Sequence, residues 1–159
     1  MARIITINDV TLKDIMGVSK TAPLNHQFRA INHSHDKEAS SLFMEPGTGK
    51  SYCVVVRIGL EKIKRTVITG PAIVLGAWED EFEEHAKYHY SFTDEAEHEI
   101  WLITLNSLNT YLKQILKWEP ELIVVDEGQG IKNRSAKKSK ACHKLGHWIP
   151  KRMLLTQGS

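Results

Sequence analysis

The sequence predicts an α/β fold in which a parallel sheet is covered by helices on both faces. Short apolar segments rich in β-branched residues alternate with longer segments whose apolar residues recur at helical spacing. The short segments are apolar almost throughout, which is typical of strands buried on both faces of a parallel sheet. Because the chain has 159 residues, of which 42% are hydrophobic, we expect residues 1–159 to form a single domain with a substantial core.

The first half of the chain alternates helix and strand after a lead-in over residues 1–22. Apolar residues at helical spacing predict a helix from Leu24 to about His35 and another from Lys50 to Ile63. The short apolar run from Ala39 to Met44 stops at a glycine-rich segment and predicts a strand. The β-branched run Thr66 to Thr69 predicts the next strand, because a glycine and a proline end it.

The second half repeats this alternation. An acidic segment with helical spacing, Ile73 to Tyr88, precedes an apolar strand expected from Ile100 to Leu105. A further helix is expected from Ser107 to Trp118. The last three elements are an apolar strand, a basic helical stretch and a final strand, at Glu121 to Glu127, Ala136 to Leu145 and Arg152 to Thr156.

Composition and charge exclude several classes of protein. The net charge of +2 is too small to attract nucleic acid through the field of the whole molecule, so any DNA contact requires a local basic patch. No apolar run approaches the roughly 20 residues that span a bilayer, and the N-terminus does not resemble a signal peptide. Cys53 and Cys142 stand alone without a CxxC pair. We therefore expect a cytoplasmic, intracellular protein without membrane association.

The glycine-rich segment MEPGTGKS lies between an expected strand and an expected helix, as a phosphate-binding loop does. Gly47 and Gly49, on either side of Thr48, allow backbone N–H groups to face a polyphosphate. Lys50 is positioned to reach the β and γ phosphates, and the Ser51 hydroxyl is a ligand type that Mg²⁺ prefers. The segment departs from the full pattern at its first position, where methionine replaces glycine. A plain glycine-rich turn before a helix is the alternative.

The apolar strand LIVVDE ends in two adjacent carboxylates, Asp126 and Glu127. Downstream of a phosphate-binding loop, such a strand is typical of a Walker B element, in which the aspartate holds Mg²⁺. Side chains alternate along a strand, so the two carboxylates point in different directions. We expect Asp126 to face the metal and Glu127 to polarise the attacking water. Without the upstream loop, the same pattern would be an ordinary strand entering a turn.

Taken together, the motifs resemble the N-terminal, RecA-like ATPase lobe of Swi/Snf-type superfamily-two helicases, which are DNA translocases. The matching segments, in order, are LNHQFRAINH, MEPGTGKS, TGPAIVLGAWEDEFEEH, ITLNSL, LIVVDEGQGIKN and MLLT. They cover nearly the whole chain. The resemblance implies a RecA-like parallel sheet, ATP and Mg²⁺ as cofactors, and double-stranded DNA as a partner.

The same resemblance implies roles for individual residues. It makes Gln27 the residue that reads the adenine edge, with a surface glutamine on a helix as the alternative. The segment after the acidic pair looks like the family's DExH-x-I-K-N signature, in which Lys132 and Asn133 match. Gln129 stands where the family usually has histidine, which puts the coupling between nucleotide state and motif III in doubt. Of motif III itself, Thr156 is the matching residue.

Two further features of the resemblance have competing interpretations. The family's P…W…E stretch contains Trp78, which we expect to be a core residue without a chemical role, since it stands at helical spacing beside Phe82. A basic concentration toward the end of the chain is expected either to contact DNA phosphates or to form a solvated helix face. Its members are Lys132, Arg134, Lys137, Lys138, Lys140, Lys144, Lys151 and Arg152.

Motifs IV to VI, which in this family lie on a second RecA-like lobe, have no counterpart in the chain. We therefore expect the second lobe to be absent and hydrolysis to be slow, because an arginine finger is worth on the order of 10³ to 10⁵ in rate. A partner ATPase or a separate lobe would complete the site. The alternative is a naturally short, non-enzymatic module that binds DNA or regulates a larger ATPase. A phosphate-loop kinase or GTPase is disfavoured, because no GTPase base-recognition motif is found.

Overall fold

In the computed structural model, residues 10–44, 49–126 and 136–157 are described. Within these ranges the strands are β1 (Ala39–Met44), β2 (Arg65–Gly70), β3 (Tyr90–Ser91), β4 (His98–Thr104), β5 (Leu122–Asp126) and β6 (Lys151–Gln157). The α-helices are α1 (Leu12–Val18), α2 (Asn25–Ser34), α3 (Lys50–Leu60), α4 (Ala72–Leu75), α5 (Trp78–His85), α6 (Leu112–Trp118) and α7 (Ala136–Trp148). A short 3-10 helix, Leu105–Ser107, follows β4.

The strands form one parallel sheet in the order β1-β6-β5-β2-β4-β3. In the centre of the sheet, Ile123 of β5 is in register with Val67 of β2 and Arg152 of β6. Because all strands run in the same direction, their carboxyl ends share one edge, which contains Gly70 and Asp126 and which we name the carboxyl edge. The opposite edge, where the strands begin, is the amino edge. The α/β fold with a parallel sheet is confirmed.

Helices cover both faces of the sheet, and the strands alternate their side chains between two cores. Successive residues of β5 show the alternation: Val124 belongs to the core beneath α1, α2, α3 and α5, whereas Ile123 belongs to the core beneath α6 and α7. In α3, all residues from Tyr52 to Gly59 are buried. A helix that is buried on every side lies in the interior of its layer, and α3 indeed contacts α1, α2 and α5.

The lead-in expected over residues 1–22 contains helix α1, which the apolar periodicity did not indicate. Its N-terminus is a capping box, in which the Thr11 side chain accepts from the backbone N–H of Asp14 and the Asp14 side chain accepts from that of Thr11. Ile15 is fully buried. One buried residue per short helix is too weak a periodic signal to predict the element.

The single helix expected from Ile73 to Tyr88 is wrong. The segment forms α4 and α5, separated by Gly76 and Ala77, which keep helical dihedral angles. Because those angles leave the apolar face continuous, periodicity could not indicate the interruption. Helix α5 ends at His85, since the next residue, Ala86, forms an antiparallel bridge with Ser19. This tertiary pairing also leads the chain into β3, a two-residue strand that was not expected.

Other boundaries differ by a few residues. The helix expected from Ser107 starts only at Leu112, because the 3-10 turn precedes it. Helix α3 ends at Leu60, two residues before Lys62, which adopts a left-handed conformation with φ of 54°. Helix α7 continues to Trp148, beyond the expected end at Leu145. Among the described residues, none of the helices is long and apolar enough to cross a membrane.

Candidate nucleotide site

The carboxyl edge presents the N-terminus of α3, which begins at Lys50. The residue before it, Gly49, has φ of 81°, in the left-handed region that glycine adopts without strain. A Cβ added at Gly49 would also collide with the amide nitrogen of Gln27. Glycine is therefore required here for two reasons, the left-handed backbone conformation and the close approach of α2.

Lys50 has the most unusual environment at this edge. Its Nζ is buried and has no hydrogen-bond partner among the residues that the structure describes. A buried ammonium without a partner is costly, and the positive end of the α3 dipole adds to that cost. Both effects favour an anion at this position. Ser51 follows in the first helical turn and is partly exposed.

Gln27 lies in the first turn of α2 and is 8% exposed. Its Oε1 accepts a hydrogen bond of 2.8 Å from the backbone N–H of Leu24. The bond orients the side-chain amide, so that the nitrogen lies beside Gly49. The alternative interpretation of Gln27 as a surface glutamine is wrong, because the residue is buried against the segment that leads into α3.

Asp126 is the last residue of β5 and is held by a residue from another element. The indole Nε1 of Trp78, at the start of α5, donates to Asp126 Oδ2 over 3.0 Å. Trp78 is 1% exposed, which confirms that it is a core residue. In the sequence, Trp78 falls within a motif, but that motif does not indicate the hydrogen-bond partner Asp126, which lies 48 residues later. Gly70 of β2 also approaches closely, since an added Cβ would lie 2.8 Å from the Asp126 carbonyl oxygen.

Thr156 lies in β6, in register with Phe43 of β1, and is 7% exposed. Its hydroxyl has no hydrogen-bond partner in the described part of the chain, and neither has that of Thr69 in β2. Since Leu155 belongs to the core beneath α3, Thr156 faces the opposite side of the sheet. Sequence reasoning identified Thr156 by its motif and missed Thr69, which a search for hydroxyls near strand ends could have found.

Several sequence-predicted residues lie outside the described residues. They are Gly47, Thr48, Glu127, Gln129, Lys132 and Asn133. Of the expected basic concentration, Lys132 and Arg134 lie outside the described residues. Lys151 and Arg152 begin β6 at the amino edge, where Lys151 pairs with Asp36 and Glu61. Lys151 and Arg152 are therefore separated from the site by the length of β6, which is about 20 Å for a seven-residue strand.

The family model of the SNF2-related domain matches residues 6–158. The chain belongs to the SNF2-related domain family. The parallel sheet, with the start of α3 and the end of β5 at its carboxyl edge, is consistent with a helicase-type domain of this family.

Two known proteins similar to this SNF2-related domain are much longer than the chain. An uncharacterized ATP-dependent helicase of Mycoplasma pneumoniae is 30% identical over 118 residues, which are 64% of this chain and 12% of that protein. A solved structure, a nuclease-deletion mutant of the Type ISP restriction-modification enzyme LlaGI in complex with a DNA substrate mimic, matches with a TM-score of 0.63 and 15% identity. That match covers 86% of this chain and 17% of the other, and it supports the fold alone.

The residues of this SNF2-related domain fit a magnesium-bound polyphosphate. The unpartnered ammonium of Lys50 matches an anion, and it lies at a helix N-terminus, where backbone N–H groups also favour negative charge. The carboxylate of Asp126 and the hydroxyl of Ser51 are oxygen donors of the kind Mg²⁺ prefers. When bound, Mg²⁺ would neutralise the charge that develops on the phosphates. The described side chains therefore include oxygen donors for the metal and a cation for the phosphates.

Proposed function

We propose that the chain binds Mg-ATP at the carboxyl edge and is the nucleotide-binding lobe of a DNA-dependent ATPase of the SNF2 type. The observation that carries the proposal is the buried Lys50 ammonium, which has no partner among the described residues. A folded protein rarely keeps such a group unless a ligand completes it. Gly49, with its left-handed conformation, places this lysine at the start of α3, as a phosphate-binding loop requires.

Each site residue then has a role in handling the nucleotide. Lys50 contacts the β and γ phosphates, while Ser51 and Asp126 ligate Mg²⁺. Glu127, which follows β5, polarises the attacking water. Gln27 selects adenine, because a carboxamide can both donate to and accept from the edge of that base. The backbone of Gly47, Thr48 and Gly49 surrounds the phosphates.

Double-stranded DNA and a second RecA-like lobe are the proposed partners. The structurally similar restriction-modification enzyme was determined with a DNA substrate mimic, and both it and the Mycoplasma pneumoniae helicase are several times longer than this chain. Gln129, Lys132, Asn133 and Thr156 are proposed to couple the nucleotide to DNA. Hydrolysis would need an arginine from the second lobe, whose contribution is on the order of 10³ to 10⁵ in rate. We place such an assembly inside the cell, associated with DNA.

Calorimetric titration tests the proposal. The chain is titrated with Mg-ATP and with Mg-GTP, together with the variants Lys50→Ala and Gln27→Ala. We expect saturable binding that favours ATP, loss of binding in Lys50→Ala, and loss of the preference for ATP in Gln27→Ala. Lys140→Ala, an exposed lysine of α7, is the matched control and should bind like the wild type. ATP binding that survives in Lys50→Ala would contradict the proposed site, and a chain that binds no nucleotide would favour a non-enzymatic module.

A further inference from the structure

The hydrogen bond between Trp78 and Asp126 joins two groups that restrain each other. The indole is 1% exposed and packs against Phe82, with ring centroids 6.3 Å apart. Because a buried N–H needs an acceptor, the indole cannot turn without losing its 3.0 Å bond to Asp126 Oδ2. The carboxylate cannot turn without leaving that N–H unsatisfied. The orientation of Asp126 is thus tied to the position of helix α5.

The surroundings of Asp126 are tightly packed around this bond. A Cβ added at Gly70 would lie 3.4 Å from Asp126 Cβ and 3.1 Å from Val74 Cγ2, so β2 and α4 approach the aspartate directly. Helix α5, which carries Trp78, also contacts α3, which begins with Lys50. The indole therefore lies in the same packed layer as the carboxylate and the helix that starts the phosphate site.

We propose that Trp78 is a positioning residue for the Mg²⁺ site at Asp126. The proposal rests on the function proposed above, which assigns the metal to Asp126. A carboxylate has about four lone-pair positions, so Asp126 can accept the indole N–H and also ligate a metal ion. Hydrogen bonds to a ligating group fix its orientation, and removing them typically lowers metal affinity about 10-fold to 100-fold. The proposal assigns Trp78 no contact of its own with the nucleotide or the metal, since its indole acts through Asp126.

The test measures how strongly Mg²⁺ supports nucleotide binding. ATP is titrated into the chain with excess Mg²⁺ and again with EDTA. The ratio of the dissociation constant in EDTA to that in Mg²⁺ is then compared between variants. Trp78→Phe removes the N–H and keeps an aromatic ring. We expect the ratio to fall about tenfold, with affinity in EDTA within about twofold of the wild type, since phosphate contacts remain. A purely structural defect would instead weaken binding equally in both conditions.

Two further variants make the outcomes distinguishable. Trp101→Phe is the matched control, because Trp101 packs against Tyr111 and Trp118 beneath the other face of the sheet, and it should keep the wild-type ratio. Asp126→Asn should lower the ratio at least as far as Trp78→Phe does. If Asp126→Asn lowers the ratio and Trp78→Phe keeps it, positioning by Trp78 is overturned while the proposed function stands. If both keep it, the metal assignment fails and this proposal fails with it.

A second measurement does not depend on the stability of Trp78→Phe. The chain has four tryptophans, so the indole N–H signals in a ¹H–¹⁵N spectrum can be assigned from Trp→Phe variants at positions 101, 118 and 148. We expect addition of Mg²⁺ to the ATP complex to shift the Trp78 signal more than the other three. A Trp78 signal that does not respond to Mg²⁺ would overturn the proposal.

Discussion

The two edges of the sheet surround their buried lysine and arginine side chains in opposite ways. At the amino edge, the fully buried guanidinium of Arg57 donates to Glu61, and Lys151 donates to Glu61 over 2.7 Å. At the carboxyl edge, Lys50 Nζ and Thr156 Oγ1 are buried without hydrogen-bond partners among the described residues. Satisfied groups stabilise the fold, whereas unsatisfied ones destabilise it until a ligand supplies their partner.

One helix carries both kinds of cation. Lys50 begins α3 and Arg57 lies two turns later, about 10 Å along the axis at 1.5 Å per residue. Arg57 also donates to Ser40 Oγ over 3.1 Å and to the Lys37 carbonyl over 2.7 Å. Burial alone therefore does not distinguish the two cations; the absence of hydrogen-bond partners around Lys50 among the described residues does. Substitutions at the two edges should therefore have different effects on stability and on ligand binding.

The largest effect is expected from Glu61→Ala at the amino edge. Glu61 has a side chain that is 2% exposed, and its loss leaves the buried Arg57 uncompensated. Breaking a buried ion pair in this way costs about 3–5 kcal/mol of unfolding free energy. Glu38→Ala is the control, because Glu38 is 77% exposed and lies 3.8 Å from Arg152, and surface pairs contribute about 0–1 kcal/mol. Urea denaturation of both variants measures the difference; equal stabilities would contradict it.

At the carboxyl edge, Lys50→Met should separate stability from binding. Removing an unpartnered buried charge and keeping the side-chain volume should leave the unfolding free energy unchanged or raise it by on the order of 1 kcal/mol. ATP affinity should nevertheless fall by roughly 30-fold or more, since truncating one partner of a buried charge pair costs about 2–5 kcal/mol. Denaturation and calorimetry measure the two effects, with Lys140→Met as the exposed control. A clear loss of stability would show that the fold itself satisfies Lys50.

A pair of glycines tests how closely the carboxyl edge is packed. Gly70→Ala should destabilise the chain by about 1–3 kcal/mol, because the added Cβ would lie 2.8 Å from the Asp126 carbonyl oxygen. Gly76→Ala should stabilise it by about 0.4–1 kcal/mol, because Gly76 has φ of −61° and no atom within 4 Å of an added Cβ. Urea denaturation should therefore give shifts of opposite sign. Shifts of the same sign would contradict the close approach of β2 to Asp126.

The smallest effect is expected from pH acting on the amino edge. The hydrogen bond from Lys151 holds the pKa of Asp36 below its ordinary value of 3.8. A carboxyl with a lowered pKa stabilises the fold above its unfolded value, and this contribution is lost as the pH falls below 3.8 through the folded-state pKa. Asp36→Asn should therefore lose less stability than the wild type on acidification. Urea midpoints measured from pH 6 downward test this, and an unchanged slope in the variant would contradict it.

Periodicity in the sequence predicted most of the fold, because the side chains of a helix or strand return to the same face with a short, local repeat. Strand β1 has the expected bounds, Ala39–Met44, and the alternation of elements indicated the parallel sheet. One error lies where distant residues pair. Ser19 and Ala86 form a bridge that ends α5, and no spacing along the chain encodes that contact. Gln27, by contrast, was assigned by motif, and its position beside Gly49 agrees with a role at the same loop.

The sequence by itself determined the α/β class, the glycine-lysine segment before α3 and the acidic end of β5, because these depend on neighbouring residues. Only the tertiary structure decided that the indole of Trp78 lies on Asp126 and that Lys50 is buried without a partner among the described residues. It also decided that Lys151 belongs to the amino edge. These facts depend on the strand order β1-β6-β5-β2, because that order determines which distant residues meet. Local periodicity in the sequence does not encode the strand order.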